Sequence, residues 1–351
     1  MTVHETDQDT RQAHLPRRVW CGRILRRALH RDDLEVLDCR ELSADVYRLT
    51  LTTGEPASVV MKRREPGAAH RDRLLVRRWL PAVGLADAGP PLLATVCEQD
   101  GDAAWSVYEW LDGRSMDRVW ADAGDIDRLV DVVASMHVRF AGHPLMAEVR
   151  CNGAYLGRDA YAGQLDDAIL ALSAVRHDPA AGRHLGDALL TDLEHAVRRA
   201  LEETPALLAL LDEIGGPDTL LHGDLWPQNV VAGPGWLRLI DWERLGVGPA
   251  IYDLSTLLLR LPRAARRRVL DRYLTHVAAA GWPLPTVDEI VLLTTALERA
   301  RLATLISWRV LDLLQAPADS AASWAVGQLQ SIRTWWHQID PRPEEEEVGI
   351  H

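Results

Sequence analysis

The chain has 351 residues, 47% of them apolar, enough to build a sizeable core and to fill two lobes or one large domain. A net charge of −12 argues against a nucleic-acid partner, and the four cysteines (Cys21, Cys39, Cys97 and Cys151) form no C-x-x-C pair, which argues against a zinc site or a disulfide framework. The acidic, polar start is unlike a signal peptide and no apolar run reaches spanning length, so a cytoplasmic protein with no membrane partner is expected, as a monomer or a homodimer.

In chain order, residues 1–33 read as a tail followed by a basic capping helix over 17–29, with Val19, Ile24, Leu25 and Leu29 on one side. Residues 34–51 and 58–62 read as strands joined by a turn at 53–56. A helix is expected over 71–80, then strands over 92–98 and 104–110 around a turn at 99–102. Beyond Gly113 the pattern becomes helical, over 125–140, 159–175 and 185–203. Two short strands near 229–231 and 237–240, joined by a turn at 232–235, interrupt it. Helices over 251–261, 263–280, 287–314 and 320–337 follow, and residues 341–351 form an acidic tail expected to be solvated. The result is an α+β chain with a small strand-rich N-lobe at 34–109 and a larger, mainly helical C-lobe at 110–340.

Of the 39 Lys and Arg residues, one is a lysine, Lys62, at the end of the apolar run Ser58-Val59-Val60-Met61. In a chain this biased toward arginine, a surface lysine is easily replaced. A site needing a compact ammonium on a flexible stem does not accept a planar guanidinium. The stretch 220–243, LLHGDLWPQNVVAGPGWLRLIDWE, places a carboxylate, an amide and two further carboxylates around two apolar runs. Phosphoryl transfer calls for this set: a carboxylate to orient an acceptor hydroxyl and take its proton, and hard oxygen ligands for magnesium. Asp224 fits the first role, and Asn229 and Asp241 the second. Glu243 supports the second metal position or hydrogen-bonds the loop.

His222-Gly223-Asp224-Leu225-Trp226-Pro227-Gln228-Asn229, followed by Ile240-Asp241-Trp242-Glu243 and by Gly248-Pro249 with Asp253-Leu254, resembles the aminoglycoside phosphotransferase and choline kinase group. That resemblance implies a protein-kinase-like pair of lobes, the smaller built on an antiparallel sheet, with ATP between them (GTP is left open) and Mg2+ as cofactor. It implies that Asp224 is the catalytic base, that Asn229 and Asp241 bind the metal, and that Lys62 holds the α- and β-phosphates. Residues 107–113, Val-Tyr-Glu-Trp-Leu-Asp-Gly, are similar to the family's hinge, where backbone groups of Glu109 and Leu111 meet the adenine while Val46 and Val60 pack on its faces. His222 then braces the catalytic loop and Asp253 anchors it.

Three places depart from the family pattern. Ser43 stands where the phosphate loop has glycine, with a hydroxyl or backbone N–H that can still touch phosphate, and Asp45 where asparagine is common. The helix after Lys62 offers only Asp72 as the lysine's acidic partner, early for that role, or as a helix start. Trp226 is similar to the fructosamine kinase branch, as a floor for an acceptor sugar or as packing. The expected function is ATP- and Mg-dependent phosphorylation of a hydroxyl on a small molecule, an aminoglycoside-like or other antibiotic first, a sugar, fructosamine-like or amino-alcohol metabolite second. A nucleotide-binding regulatory protein without turnover is the alternative of another class. The acids at 166, 167, 187, 192, 194, 202, 203, 212 and 213 are available to a cationic acceptor or form a solvated helix face.

Overall fold

A computed structural model describes residues 17–52, 56–116, 123–316 and 319–339, so the expected tails and most of the 53–56 turn lie outside the described residues. The chain divides into two compact units. One takes the described residues up to Asp125 together with Gln228–Glu243, and the other takes Ile126–Pro227 and the described chain from Arg244 onward.

The first unit is built on an antiparallel sheet of β1 (Val36–Ser43), β2 (Val46–Leu51), β3 (Ser58–Arg64), β4 (Leu92–Cys97) and β5 (Ala104–Glu109), in the order β1-β2-β3-β5-β4. Strict alternation decides its two faces. Tyr47, Leu49, Leu51, Val59 and Met61 point into a core closed by Cys21 and Leu25 of helix α1 (Arg17–Leu29) and by Trp105 and Val107. Val60, Lys62 and Arg64 therefore share the opposite face. Helix α2 (Pro66–Leu74) starts five residues before the expected position; Pro66 in its first turn is the start signal. It runs on through a π-helical turn, Leu75–Trp79, that buries Leu75 and Trp79.

The hairpin of β9 (Val230–Gly233) and β10 (Trp236–Leu239) turns on Pro234 and Gly235, the latter at φ 79°, and pairs with β6 (Arg114–Ser115) in the order β10-β9-β6. That pairing is why residues 228–243 belong with the first unit, whereas the sequence assigns them to the lobe beginning at 110. Gly113 is required beside it, because a Cβ there would stand 2.8 Å from the Ala232 carbonyl oxygen and 2.7 Å from Trp236.

The second unit is mainly helical: α3 (Ala123–Phe140, its first turn in the other unit), α4 (Met146–Asn152), α5 (Arg158–His177), α6 (Pro179–Leu185), α7 (Asp187–Ile214), α8 (Ile251–Arg260), α9 (Arg263–Ala279), α10 (Val287–Leu314) and α11 (Asp319–Gln338). Helix α7 passes through Pro205 rather than stopping at 203, since its apolar face, Leu189 to Leu211, stays buried past the proline. A small sheet of β7 (Ala154–Tyr155), β11 (Gly246–Pro249) and β8 (Asp218–Leu221) supports the loop that follows β8. No described helix is long and apolar enough to cross a membrane.

Candidate active site

In the first unit, a cavity of about 300 Å³ is lined by Val60, Lys62 and Arg64 of β3, by Asp72, Leu75 and Val76, by Tyr108 to Leu111, and by Ile240 to Trp242. Lys62 Nζ donates to Asp241 Oδ1 at 2.9 Å, so the lone ammonium and the carboxylate after β10 meet directly. The hairpin register pairs Val230 with Leu239, and Ile240 N–H donates to the Asn229 carbonyl at 2.8 Å, which brings Asn229 and Asp241 to the hairpin's open end. Asp241 takes φ 65°, a left-handed conformation that is uncommon outside glycine and asparagine and concentrates at functional sites.

Asp72 does not pair with Lys62. Its Oδ2 accepts from Arg64 Nη1 at 2.7 Å and from the Tyr108 hydroxyl, and Arg64 Nη2 also reaches Glu243 Oε1 at 3.2 Å. Burial pushes the Asp72 carboxyl above its usual range against the opposing pull of Arg64 and Tyr108, and burial likewise raises the Tyr108 hydroxyl, with Asp72 adding to the effect. Glu109 N–H is taken by the Pro91 carbonyl at 3.0 Å, while Leu111 N–H has no partner among the described residues. Val60, Lys62, Glu109 and Leu111 thus line one cavity, together with Asp241. Ser43 and Val46 are not among its lining residues, and Leu42 takes a place there. Ser43 ends β1, and the two-residue turn Ala44-Asp45 sets Asp45 at φ 59°, which accounts for an acidic turn former at that position.

In the second unit, the loop after β8 is held by its backbone. Asp253 Oδ2 accepts from His222 N–H at 2.8 Å and Oδ1 from Gly223 N–H at 2.9 Å. His137 Nε2 stands 3.2 Å from the same Oδ2, and its Nδ1 is 2.9 Å from the Tyr273 hydroxyl. All four side chains are buried, so the carboxylate is fixed from several sides. Asp224 N–H donates to His222 Nδ1 at 3.3 Å, and Asp224 as a residue is half-buried. Gly223 takes φ 78°, and a Cβ there would fall 2.0 Å from the Arg244 carbonyl oxygen. Trp226 is stacked by guanidiniums, Arg260 at 3.8 Å and Arg301 at 5.0 Å from the ring centroid, so its stacking partners are arginines.

Sequence reasoning missed Arg64, Tyr108, His137, Tyr273, Arg260 and Arg301. Arg64 was within reach, since period two carries the Lys62 face to it. His137 was not, because it contacts Asp253 across 116 residues.

A sheet-based unit with a lysine facing an aspartate, and a helical unit presenting a backbone-clamped His-Gly-Asp loop, define an α+β enzyme of the kinase-like kind. Residues 39–287 match the model of the phosphotransferase enzyme family, and the chain belongs to that family. It is therefore a small-molecule phosphotransferase. No curated protein sequence matches it significantly. Among solved structures it is similar to aminoglycoside 2'-phosphotransferase-IIIa in its GDP complex (16% identity over 91% of this chain and 99% of that one, TM-score 0.58). It is also similar to a spectinomycin phosphotransferase in complex with ADP and spectinomycin (12%, 91% and 93%, TM-score 0.57). A third is choline kinase LicA from Streptococcus pneumoniae (13%, 90% and 99%, TM-score 0.53). At these identities the likeness is one of fold.

Proposed function

We propose that this phosphotransferase moves the γ-phosphoryl group of ATP to a hydroxyl of a small molecule, with Asp224 as the base. The observation that carries the reading is the Lys62–Asp241 contact inside a cavity of nucleotide-pocket character. Leu111 N–H, facing no protein acceptor, is the donor for an adenine edge, and Val60 packs on the ring. Lys62 holds the α- and β-phosphates once the nucleotide competes with Asp241 for its ammonium.

Asn229 and Asp241 supply one amide and one carboxylate oxygen. No group of three or more His, Cys, Asp or Glu that could hold a metal occurs among the described residues. Such a donor set suits magnesium, which prefers oxygen ligands and keeps water and phosphate as the rest of its shell. When bound, the ion neutralises charge on the transferring phosphoryl group. Asp224 orients the acceptor hydroxyl. As the new bond from the acceptor oxygen to phosphorus forms and the bond to the β,γ-bridging oxygen breaks, the hydroxyl proton passes to the Asp224 carboxylate and ADP leaves. Asp253, by clamping His222 and Gly223, acts through the loop as a positioning residue.

The acids considered for a cationic acceptor give that idea little support. Asp192, Glu194 and Asp212 are each engaged by a surface arginine or histidine, and Glu203 by the buried Arg299. The test is transfer of the terminal phosphoryl of labelled ATP, with magnesium, to a panel of hydroxyl compounds. Asp224→Asn is expected to lose at least about 10²-fold in kcat, within the range general base catalysis contributes. An Asp224→Asn protein as active as wild type would sink the assignment of the base.

A further inference from the structure

Within the second unit, one buried cluster stands beside Asp224 and has no part in the reading above. Glu298, in the middle of α10, is fully buried. Its Oε1 accepts from Arg260 Nη2 at 2.6 Å, from Arg301 Nη2 at 2.8 Å and from Trp335 Nε1 at 2.9 Å, and its Oε2 accepts from Arg301 Nε at 2.9 Å. Two guanidiniums thus share one carboxylate, and the cluster carries a net charge of one positive. The Arg260 and Arg301 side chains are only 9% and 3% exposed. A buried unmatched guanidinium is expensive unless an anion answers it.

The donors in this cluster are not exhausted. Trp226 Nε1 and Arg260 Nε are buried and have no hydrogen-bond partner. Arg301 uses Nε and Nη2 on Glu298, which leaves Nη1. These donors belong to Trp226 and to the two guanidiniums set over its ring. Trp226 is bonded to the Asp224 backbone, N–H to carbonyl at 2.8 Å. The Asp224 charge acts on both arginines.

Resting on Asp224 as the base, we infer that the acceptor carries an oxyanion, a carboxylate or a phosphate, close to its reactive hydroxyl, and that Arg301 and Arg260 bind it beside Trp226. A polycationic acceptor brought to Asp224 meets two guanidiniums held by one glutamate, the wrong sign for its own ammonium groups. A hydroxy acid or sugar phosphate answers the idle donors, and also the positive charge left on the cluster once Asp224 has taken the hydroxyl proton. The substrate class is thus a small hydroxylated anion.

The test uses the full-length protein with a non-hydrolysable ATP analogue and magnesium. Binding is followed by tryptophan fluorescence and calorimetry, and turnover with ATP is measured in parallel. The probes are gluconate and glycerate, glucose 6-phosphate and glycerol 3-phosphate, neutral glucose and ribose, and cationic kanamycin and choline. At least one oxyanion probe is expected to bind at least 10-fold tighter than the neutral sugars, with no binding of the cations. The carboxylate and phosphate arms tell which oxyanion is preferred. Arg301→Gln should raise the acceptor KM at least 10-fold, leave the ATP KM within twofold, and be partly rescued by Arg301→Lys. If Arg301→Gln does not fold, Arg260→Gln and the wild-type panel decide.

Binding or phosphorylation of kanamycin or choline in preference to every oxyanion overturns the inference, as does failure of all four oxyanions to bind. So does an Arg301→Gln protein that loses thermal stability but keeps its acceptor KM, since that is the behaviour of a purely structural cluster. An active Asp224→Asn protein with intact oxyanion binding instead removes the base and leaves the anion site standing.

Discussion

A guanidinium at position 62 would keep the charge and lose the fit. Lys62 lies on a strand whose neighbours Val60 and Arg64 already line the same cavity, and its ammonium reaches a single Asp241 oxygen as a point charge. Lys62→Arg is therefore expected to raise the KM for MgATP about 10-fold or more, about 1.4 kcal/mol in binding, with little change in melting temperature. Steady-state kinetics beside a melting curve check both halves. Asp72 makes the converse case. It is buried against Arg64 and Tyr108, so Asp72→Ala strands a guanidinium that is 7% exposed with only the exposed Glu243 for company. A loss of about 3–5 kcal/mol in stability is expected from breaking such a buried pair. Chemical denaturation checks it; if stability holds and only nucleotide KM rises, Asp72 serves the nucleotide rather than the fold.

Elements were legible where their own periodicity set them. Alternation through 58–62 and the 3.6-residue repeat over 287–314 recover β3 and α10 closely. The sequence did not disclose β8 and β11. Gly246-Val247-Gly248-Pro249 carries the composition of a turn, and its glycines are there because Cβ atoms would stand 2.5 Å from the Ala154 and 2.7 Å from the Leu156 carbonyl oxygens across the sheet. At the candidate site, the proposed roles fall on residues that one contiguous motif made legible, while the side chains packed against that motif from distant helices were not legible. Glu298 and Arg301 are neighbours at i,i+3 on α10, but their burial against Arg260 of α8 and Trp335 of α11 comes from packing alone. That junction sets a pH dependence. Burial opposes ionisation of Glu298, but the hydrogen bonds and charge of Arg301 and Arg260 outweigh it and hold the carboxyl below its usual value of 4.5. A lowered folded value means the stabilisation is present above about pH 4.5 and is lost as pH falls through the folded value. Glu298→Gln should therefore cost about 3–5 kcal/mol at pH 7. The gap between variant and wild type should narrow below pH 4.5, as melting curves across pH 7 to 4 would record.

At the scale of the whole molecule, binding and chemistry are assigned to different stretches of chain. The residues read as gripping nucleotide and metal, Lys62, Asn229 and Asp241, fall in the unit formed by the N-terminal sheet and Gln228–Glu243, while Asp224 falls in the helical unit. The sequence conceals this partition, because Asp224 and Asn229 are only five residues apart and read as one motif; the pairing of β9 with β6 carries Asn229 into the other unit. A ligand that binds only the folded chain stabilises it by about 2.7 kcal/mol at 100 times its Kd. For a chain of this length that is roughly 4 °C in melting temperature, taking about 2.1 cal/mol/K per residue for the unfolding entropy. MgADP at that excess should raise the wild-type melting temperature by this amount. Asp224→Asn should keep the shift in full while losing transfer, and Lys62→Ala and Asp241→Ala should lose most of it. Loss of the MgADP shift in Asp224→Asn would mean that the two stretches do not divide the labour, and that Asp224 contributes to holding the nucleotide itself.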